Sequence, residues 1–473
     1  MPLNSIDIQA NLAAIKAQLL KEPELSPALK ALIEMLMIIV ELLAHKLGLN
    51  SRNSSKPPST DFPKTKNTDN KTSTKNQGKP RPKGSTLTQV DTPDEIEYLP
   101  LDRHKLPKGR YTEIGVEKRQ VIDIEFHRVI TEYQAQVLQD QNGKRFVADF
   151  PRGISKAIQY GQPLKAHAVY LSQYQLLPYQ RIAEYFNEQL NIPISQGSIA
   201  NFNQLAFDKL AAYEQYAKEQ LQKATCVHAD ETGININGEL HWLHCASNDK
   251  WTHFTAHKKR GLDAIEHAGI LPQFEGVLVH DHWKPYYRLD QCTHALCNAH
   301  HLRELTRAYE QDQKSWAGRM KALLEIINRA THQAQGELSD KQQQTYRKYY
   351  HRLVRQGEQT CPGPPEKTPG RRGRVKRSKA RNLLERFIHY EHDILRFMMD
   401  KAVPFTNNQG ERDIRMTKVH QKISGCFRSQ GGAHAFCRIR GYLSTCKKQN
   451  VPAAHALNLL FNDQLPDFCS LQQ

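Results

Sequence analysis

The sequence predicts an α/β protein, and three observations carry that prediction. Residues 226–235, 240–247 and 251–257 are successive strand-like runs, with Asn237-Gly238 as a hairpin turn between the first two. A helical stretch at 262–268 leads into 276–281, a short apolar run typical of a buried strand. Helical periodicities occupy the chain on both sides. Three antiparallel strands, a helix and a buried fourth strand outline a ribonuclease-H-like core. It is preceded by an N-terminal coiled-coil helix, a small β module and a helical, helix-turn-helix-like region.

The 473 residues suffice for about three or four domains. A formal net charge of +17 favours a polyanionic partner, because Lys and Arg neutralise phosphates and release counterions. All nine Cys follow residue 225 and none forms a Cys-x-x-Cys pair. That pattern suits reduced thiols in the cytoplasm rather than a disulfide framework. No basic leader precedes an apolar core, and the most apolar run, 31–43, is short and contains Glu34 and Glu41. The expectation is a soluble, cytoplasmic protein.

Residues 1–50 read as helix, interrupted near Pro23 and Pro27. Leu25, Leu29, Leu32, Leu36, Ile39 and Leu43 alternate spacings of four and three, the seam of a short coiled coil. Ile33, Val40 and Leu47 widen the stripe, so self-association and packing on the chain's own body are equally open. Residues 51–97 form a basic linker. Within it, 59–84 carry seven Lys or Arg against two Asp and almost nothing apolar, too little to fold alone. The segment serves as a flexible connector, a basic arm along DNA, or both.

Residues 98–160 read as the small β module, with strands at 116–125, 129–138 and 145–150 and a turn at Gln141-Asn142-Gly143-Lys144. Residues 161–222 are helical. An amphipathic stretch at 178–186, a break at 191–194 and a helix start at Ser195 outline a helix-turn-helix. Its second helix would bring Gln196, Ser198 and Asn201 to base edges; plain packing of two helices is the competing reading.

Beyond the strands, helices are expected at 294–309, 315–335 and 341–355. The Pro-rich tract 356–381 ends in a stretch, 371–381, in which seven of eleven positions are basic. In this basic loop, 370–381, Arg371, Arg372, Arg374, Lys376 and Arg377 suit phosphates; a nuclear import signal is the alternative. Helix returns at 382–401 and again after Thr406 or Asn407, either of which can cap it. Glu411, Arg415 and Lys422 share roughly one face of that last helix, with Lys418 nearby. Residues 456–473 read as a C-terminal tail.

The candidate chemistry lies in three acids. Asp230 and Asp281 each sit in or at the end of an apolar strand, where a carboxylate is costly to bury unless paired or bound to a cation. In a ribonuclease-H-like core the first and fourth strands are neighbours, so the two acids can meet. Glu411 would join them from a helix. Three hard oxygen groups suit Mg²⁺ or Mn²⁺, and two such ions serve phosphoryl transfer. Taken singly, each acid reads as an ordinary strand-end or surface carboxylate. The trio stands on the agreement of fold outline, basic tracts and local motifs.

Neighbouring residues offer weaker candidates. Glu231 alternates to the face opposite Asp230. His280 and His282 flank Asp281 and would point away from it, toward DNA or solvent. Cys297-x-x-His300, with His294 and His301 near, is a zinc candidate without an evident four-ligand set. Trp242, Trp251 and Trp283 read as core or rim aromatics rather than base-stacking groups.

Five stretches carry a resemblance. They are Asn50-Ser51-Arg52-Asn53-Ser54-Ser55-Lys56-Pro57-Pro58-Ser59, His228-Ala229-Asp230-Glu231-Thr232-Gly233, His280-Asp281-His282-Trp283-Lys284-Pro285-Tyr286, residues 295–305, and Asn407-Asn408-Gln409-Gly410-Glu411-Arg412-Asp413-Ile414-Arg415. In this order they resemble the transposases of the insertion sequence 66 family, a bacterial group with an Asp-Asp-Glu catalytic core. The resemblance implies that Asp230, Asp281 and Glu411 are the catalytic acids and hold two Mg²⁺ or Mn²⁺ ions. It implies a core of 223–303 and 404–455, with 304–403 as a helical insertion. It further implies strand cleavage at an element's ends, then attack of the freed 3′ hydroxyl on target DNA. DNA contacts are then expected at Arg412, Arg415, Lys418 and Lys422. The partners implied are terminal inverted repeats, target DNA, at least one more copy of the chain, and accessory proteins of the element. Many members carry a Cys-rich zinc module before the core; here no Cys precedes residue 226, so zinc is not expected at 98–160. The competing readings are a catalytically inactive DNA-binding derivative and a nuclease acting on RNA–DNA hybrids.

Overall fold

A computed structural model describes residues 8–19, 21, 26–47, 52–54, 87–112, 114–363 and 377–469. Two helices, α1 (Ile8–Leu19) and α2 (Pro27–Leu47), lie at the N-terminal end. Pro27 opens α2, where a missing N–H costs nothing. Leu29, Leu32, Leu36, Ile39 and Leu43 are all exposed on α2, whereas Met37 is buried. Leu25, the first residue of the expected seam, lies outside the described residues.

The expected three-stranded β module is reduced to one hairpin, β1 (Val137–Gln139) with β2 (Arg145–Val147). Asp140 Oδ1 accepts from the amides of Asn142 and Lys144, and Gly143 takes φ 83°, so the predicted turn forms. Among the described residues, 116–136 contain no strand. The alternation there has no layer to bury against: Val121, Ile122, Val129 and Ile130 are exposed.

Four helices follow: α3 (Gln162–Val169), α4 (Tyr179–Leu190), α5 (Gln196–Lys209) and α6 (Ala211–Gln222). Asn191 ends α4 in the left-handed conformation, and Ser195 caps α5 by accepting from the Ser198 amide. The central sheet then forms from β3 (Cys226–Ile236), β4 (Glu239–Ser247) and β5 (Thr252–His257). After α7 (Leu262–Ala268) it continues with β6 (Val277–His280) and β7 (Thr293–Leu296). Its order is β5-β4-β3-β6-β7. The first three strands are antiparallel, and β3, β6 and β7 run parallel. Gly276 precedes β6, where a Cβ would stand 2.6 Å from the Ala224 carbonyl oxygen; only glycine lets the chains approach.

Strand β7 corrects the helix expected from residue 294. Thr293–Leu296 is too short to declare a period, and it is the parallel partnership with β6 that holds it as a strand. Helix α8 starts only at Asn298 and runs to Glu310. Next come α9 (Ser315–Gln333), α10 (Asp340–Thr360), α11 (Lys379–His389) and α12 (Glu391–Leu395). The single helix expected over 382–401 is broken at Tyr390 and ends in a 3₁₀ turn. These helices enclose a core of Trp316, Leu324, Tyr350, Leu384 and Phe387 that continues onto β6 and β7.

Helix α13 (Asn408–Ile423) lies on β3 and β4, α14 (Gln430–Lys448) on β5, and α15 (Ala453–Phe461) on α3. The segment expected as a tail, 456–473, begins inside α15: Ala456, Leu457, Leu460 and Phe461 are buried in the core shared with α3–α6, and 470–473 lie outside the described residues. Apolar residues at i, i+1, i+4 and i+5 give α15 one face to bury.

Candidate active site

β3 and β6 pair in parallel with His228 opposite Val279, and continuing that register sets Asp230 level with Asp281. Asp230 lies near the middle of β3, two residues past the last β3–β6 pair, and Asp281 follows the last residue of β6. Strand alternation turns His228 and Asp230 toward α13, while Ala229 packs into the core on the other face.

Asn407 fastens α13 to this edge. It occupies the N-cap position but does not cap the helix, contrary to the sequence expectation. Its Oδ1 lies 2.8 Å from His228 Nδ1, and its Nδ2 donates to the Ala229 carbonyl at 2.8 Å. Its own amide donates to Cys297 Sγ at 3.1 Å. The strand bearing Asp230, the start of α8 and the start of α13 thus meet on one residue. Asn298 completes the return: its amide donates to the Phe405 carbonyl and its Nδ2 to that of Ile394. By these bonds the chain comes back after more than a hundred residues. Lys448 of α14 and Asp413 of α13 form a buried ion pair at 2.7 Å that holds the far side of α13.

Glu411 sits one turn into α13. Its Oε1 is 3.9 Å from Cys297 Sγ and 3.7 Å from His300 Nδ1. Gly410, just before it, packs on Asp230: a Cβ there would be 3.5 Å from Asp230 Cβ. Asp230 Oδ1 accepts from the Glu231 amide and Asp281 Oδ1 from the Trp283 amide. Among the described residues no donor reaches the other oxygen of either carboxylate.

Burial and like charge act together on these acids. Burial, then repulsion from Glu231, Asp281 and Glu411, pushes the Asp230 carboxyl up to about 8, against some relief from the Glu231 amide. Burial and Asp281 also raise Glu231, although Arg260 and Tyr286 oppose them. His300 is lowered by burial and by Arg303, and feels the opposite pull of Glu411 and Asp281. Asp230, Asp281 and Glu411 therefore share one electrostatic neighbourhood.

Glu231 belongs to that neighbourhood as well, which alternation alone does not predict. Its Oε1 receives Arg260 Nε and Nη2 and its Oε2 receives the Tyr286 hydroxyl at 2.7 Å, so its acceptors are already engaged. Arg260 in turn lies between Trp242 and Trp283, 4.7 and 4.5 Å from the ring centres. Trp251 is in the core.

The flanking histidines correct a second expectation. His280 is fully buried, 3.2 Å from His294 and packed on Tyr286 and Tyr287. The turn that follows the strand folds back over it, so a residue that alternates away from Asp281 meets Tyr286, Tyr287 and His294 of the protein itself. The His282 ring packs on Tyr287 and Tyr390.

Other predicted positions are dispersed. Gln196 and Asn201 are exposed on α5, and Ser198 bonds Ser195 Oγ at the helix start. Arg412, Arg415 and Lys422 are exposed on α13, whereas Lys418 Nζ donates to the Gly233 carbonyl. Arg377 pairs with Glu385. Arg371, Arg372, Arg374 and Lys376 lie outside the described residues. Sequence assigns Asn407 only a capping role and Asp413 none; a polar residue just before a helix reads as a cap, and only the tertiary fold redirects it.

Fold and site together define an α/β protein with half-buried carboxylates gathered where two parallel strands meet a returning helix. The family model described as Transposase IS66 family matches residues 157–435, more than half of the chain and all three acids, and the chain belongs to that family. A second model, a family of unknown function (DUF6444), matches residues 3–89. No curated protein matches the chain. Among the described residues no helix is long and apolar enough to cross a membrane.

Proposed function

We propose that this transposase cuts and joins DNA at the ends of its element by metal-dependent phosphoryl transfer, with Asp230, Asp281 and Glu411 as the catalytic acids. The observation that carries the reading is geometric: the β3–β6 register sets Asp230 level with Asp281, and Gly410, next to Glu411, packs on Asp230. Buried carboxylates that repel one another are stable in ionised form only beside a cation. Their oxygens are hard donors, and an uncommitted oxygen on Asp230 and on Asp281 fits Mg²⁺ or Mn²⁺. Two such ions, when bound, supply activation of the attacking oxygen and stabilisation of the leaving one. Asn407 and the Gly410–Asp230 contact hold Glu411 beside the strand acids. Arg260 and Tyr286 occupy Glu231 and so leave the metal role to the other three.

The same reading assigns 223–303 and 404–455 to a ribonuclease-H-like core with 304–403 inserted. The β3–β6 neighbourhood supports it, because such a core sets its first and fourth strands side by side. The exposed residues of α5 support a helix-turn-helix-like role for 161–222, and the exposed seam of α2 supports a coiled coil joining copies of the chain. The net charge supports DNA as partner. With Mg²⁺, end-bearing DNA should yield joined products, while an RNA–DNA hybrid of unrelated sequence should stay intact. Cleavage of the hybrid without joining of ends would reject the proposal.

A further inference from the structure

The acids are not the only ligand set at this edge of the sheet. Cys297 sits immediately before α8 and His300 in its first turn. Glu411 comes to them from α13. The three offer one sulfur, one nitrogen and one oxygen, all within 4.8 Å of one another. The measured separations, 3.9 Å from sulfur and 3.7 Å from nitrogen to Glu411 Oε1, compare with edges of about 3.4 Å in tetrahedral zinc sites. His300 Nδ1 is buried without a hydrogen-bond partner, an orphan aimed at this space. The Asn407 amide fixes the sulfur from behind.

We propose that Cys297, His300 and Glu411 bind a thiophilic divalent ion of the zinc type, with a water as the fourth ligand. Sulfur and imidazole select such an ion over Mg²⁺, which prefers oxygen. The site borrows Glu411 from the proposed catalytic trio, so its occupancy withdraws that carboxylate and lowers Mg²⁺-dependent joining. This last consequence rests on the proposed function; the binding itself does not. His294 and His301 stand apart from the set, bonded to His280 and Asn298.

The test loads the full chain with Co²⁺, which reports sulfur ligation by a charge-transfer band in the near ultraviolet, and then displaces it with Zn²⁺. One equivalent should give the band. Cys297→Ser should abolish it, and His300→Ala should weaken Zn²⁺ affinity roughly tenfold or more, at least as much as losing an outer-shell partner. Cys426→Ser, at an exposed thiol, should leave the band in place. A band that persists in Cys297→Ser, with circular dichroism unchanged, overturns the proposal. Should that variant fail to fold, unchanged Zn²⁺ affinity in folded His300→Ala overturns it equally. In joining assays, micromolar Zn²⁺ should inhibit wild type and spare Cys297→Ser, each compared with its own zinc-free rate. A normal band in a wild type that joins no DNA would remove the proposed function and leave the zinc site standing.

Discussion

The Asn407 side chain donates to the Ala229 carbonyl at 2.8 Å, one residue before Asp230. It thereby ties the helix that carries Glu411 to the strand that carries the first acid. Asn407→Ala leaves both that carbonyl and His228 Nδ1 without a partner in a buried place. The expected cost is about 2–6 kcal/mol of stability, since each of the two orphaned buried polar groups costs about 1–3. Urea unfolding measures it, and joining activity should fall further than the lost folded fraction explains.

Gly410→Ala tests whether helix and strand must touch. The added methyl would meet Asn407 Oδ1 at 3.2 Å and Asp230 Cβ at 3.5 Å. Alanine favours a helix over glycine by about 0.5–1 kcal/mol, so thermal stability should change little. Activity should drop about tenfold or more, because Glu411 is pushed away from Asp230. Unchanged turnover at unchanged stability would show that the contact does not position the site.

The raised Asp230 carboxyl makes stability depend on pH with a definite sign. Its folded value of about 8 exceeds the ordinary 3.8, so between these values the folded state holds more protons than the unfolded one. Metal-free protein should therefore lose stability as pH rises from about 4 to 8, through this group. Asp230→Asn should flatten that part of the profile. Added Mg²⁺ should offset the loss, most strongly at the upper end. Chemical denaturation across this range, with and without chelator, gives the answer.

The proposed sequence recognition by α5 can be separated from charge attraction. Double substitution of Gln196 and Asn201 by Ala should weaken binding to terminal-repeat DNA more than binding to random DNA. Equal loss on both would reduce α4 and α5 to a packed pair. Raising salt should weaken both together.

Much of the sheet could be read in advance because antiparallel strands with one buried face show their period. β3, β4 and β5 fall within a residue or two of the expected ranges. β7 could not be read, since four residues, Thr293–Leu296, acquire a strand's identity only from β6. The three strands expected over 116–150 shrink to a hairpin because alternation without a covering layer stabilises nothing. Asp230 and Asp281 could be placed together from strand order. Glu411 could not, because its return depends on Asn298, Asn407 and Lys448, whose bonds are made by tertiary contact alone. His280 shows the reverse case: its alternation is as expected, and packing decides what it meets.

The central claim is that Asp230, Asp281 and Glu411 act as one metal-dependent unit. The most direct measurement is the single-turnover rate of strand joining on end-bearing DNA with Mg²⁺, for wild type, Asp230→Asn, Asp281→Asn and Glu411→Gln. Each substitution removes a charged ligand worth several kcal/mol in the transition state, so each rate should fall about a thousandfold or more, with DNA affinity retained. Any one of the three joining ends at the wild-type rate would contradict the assignment.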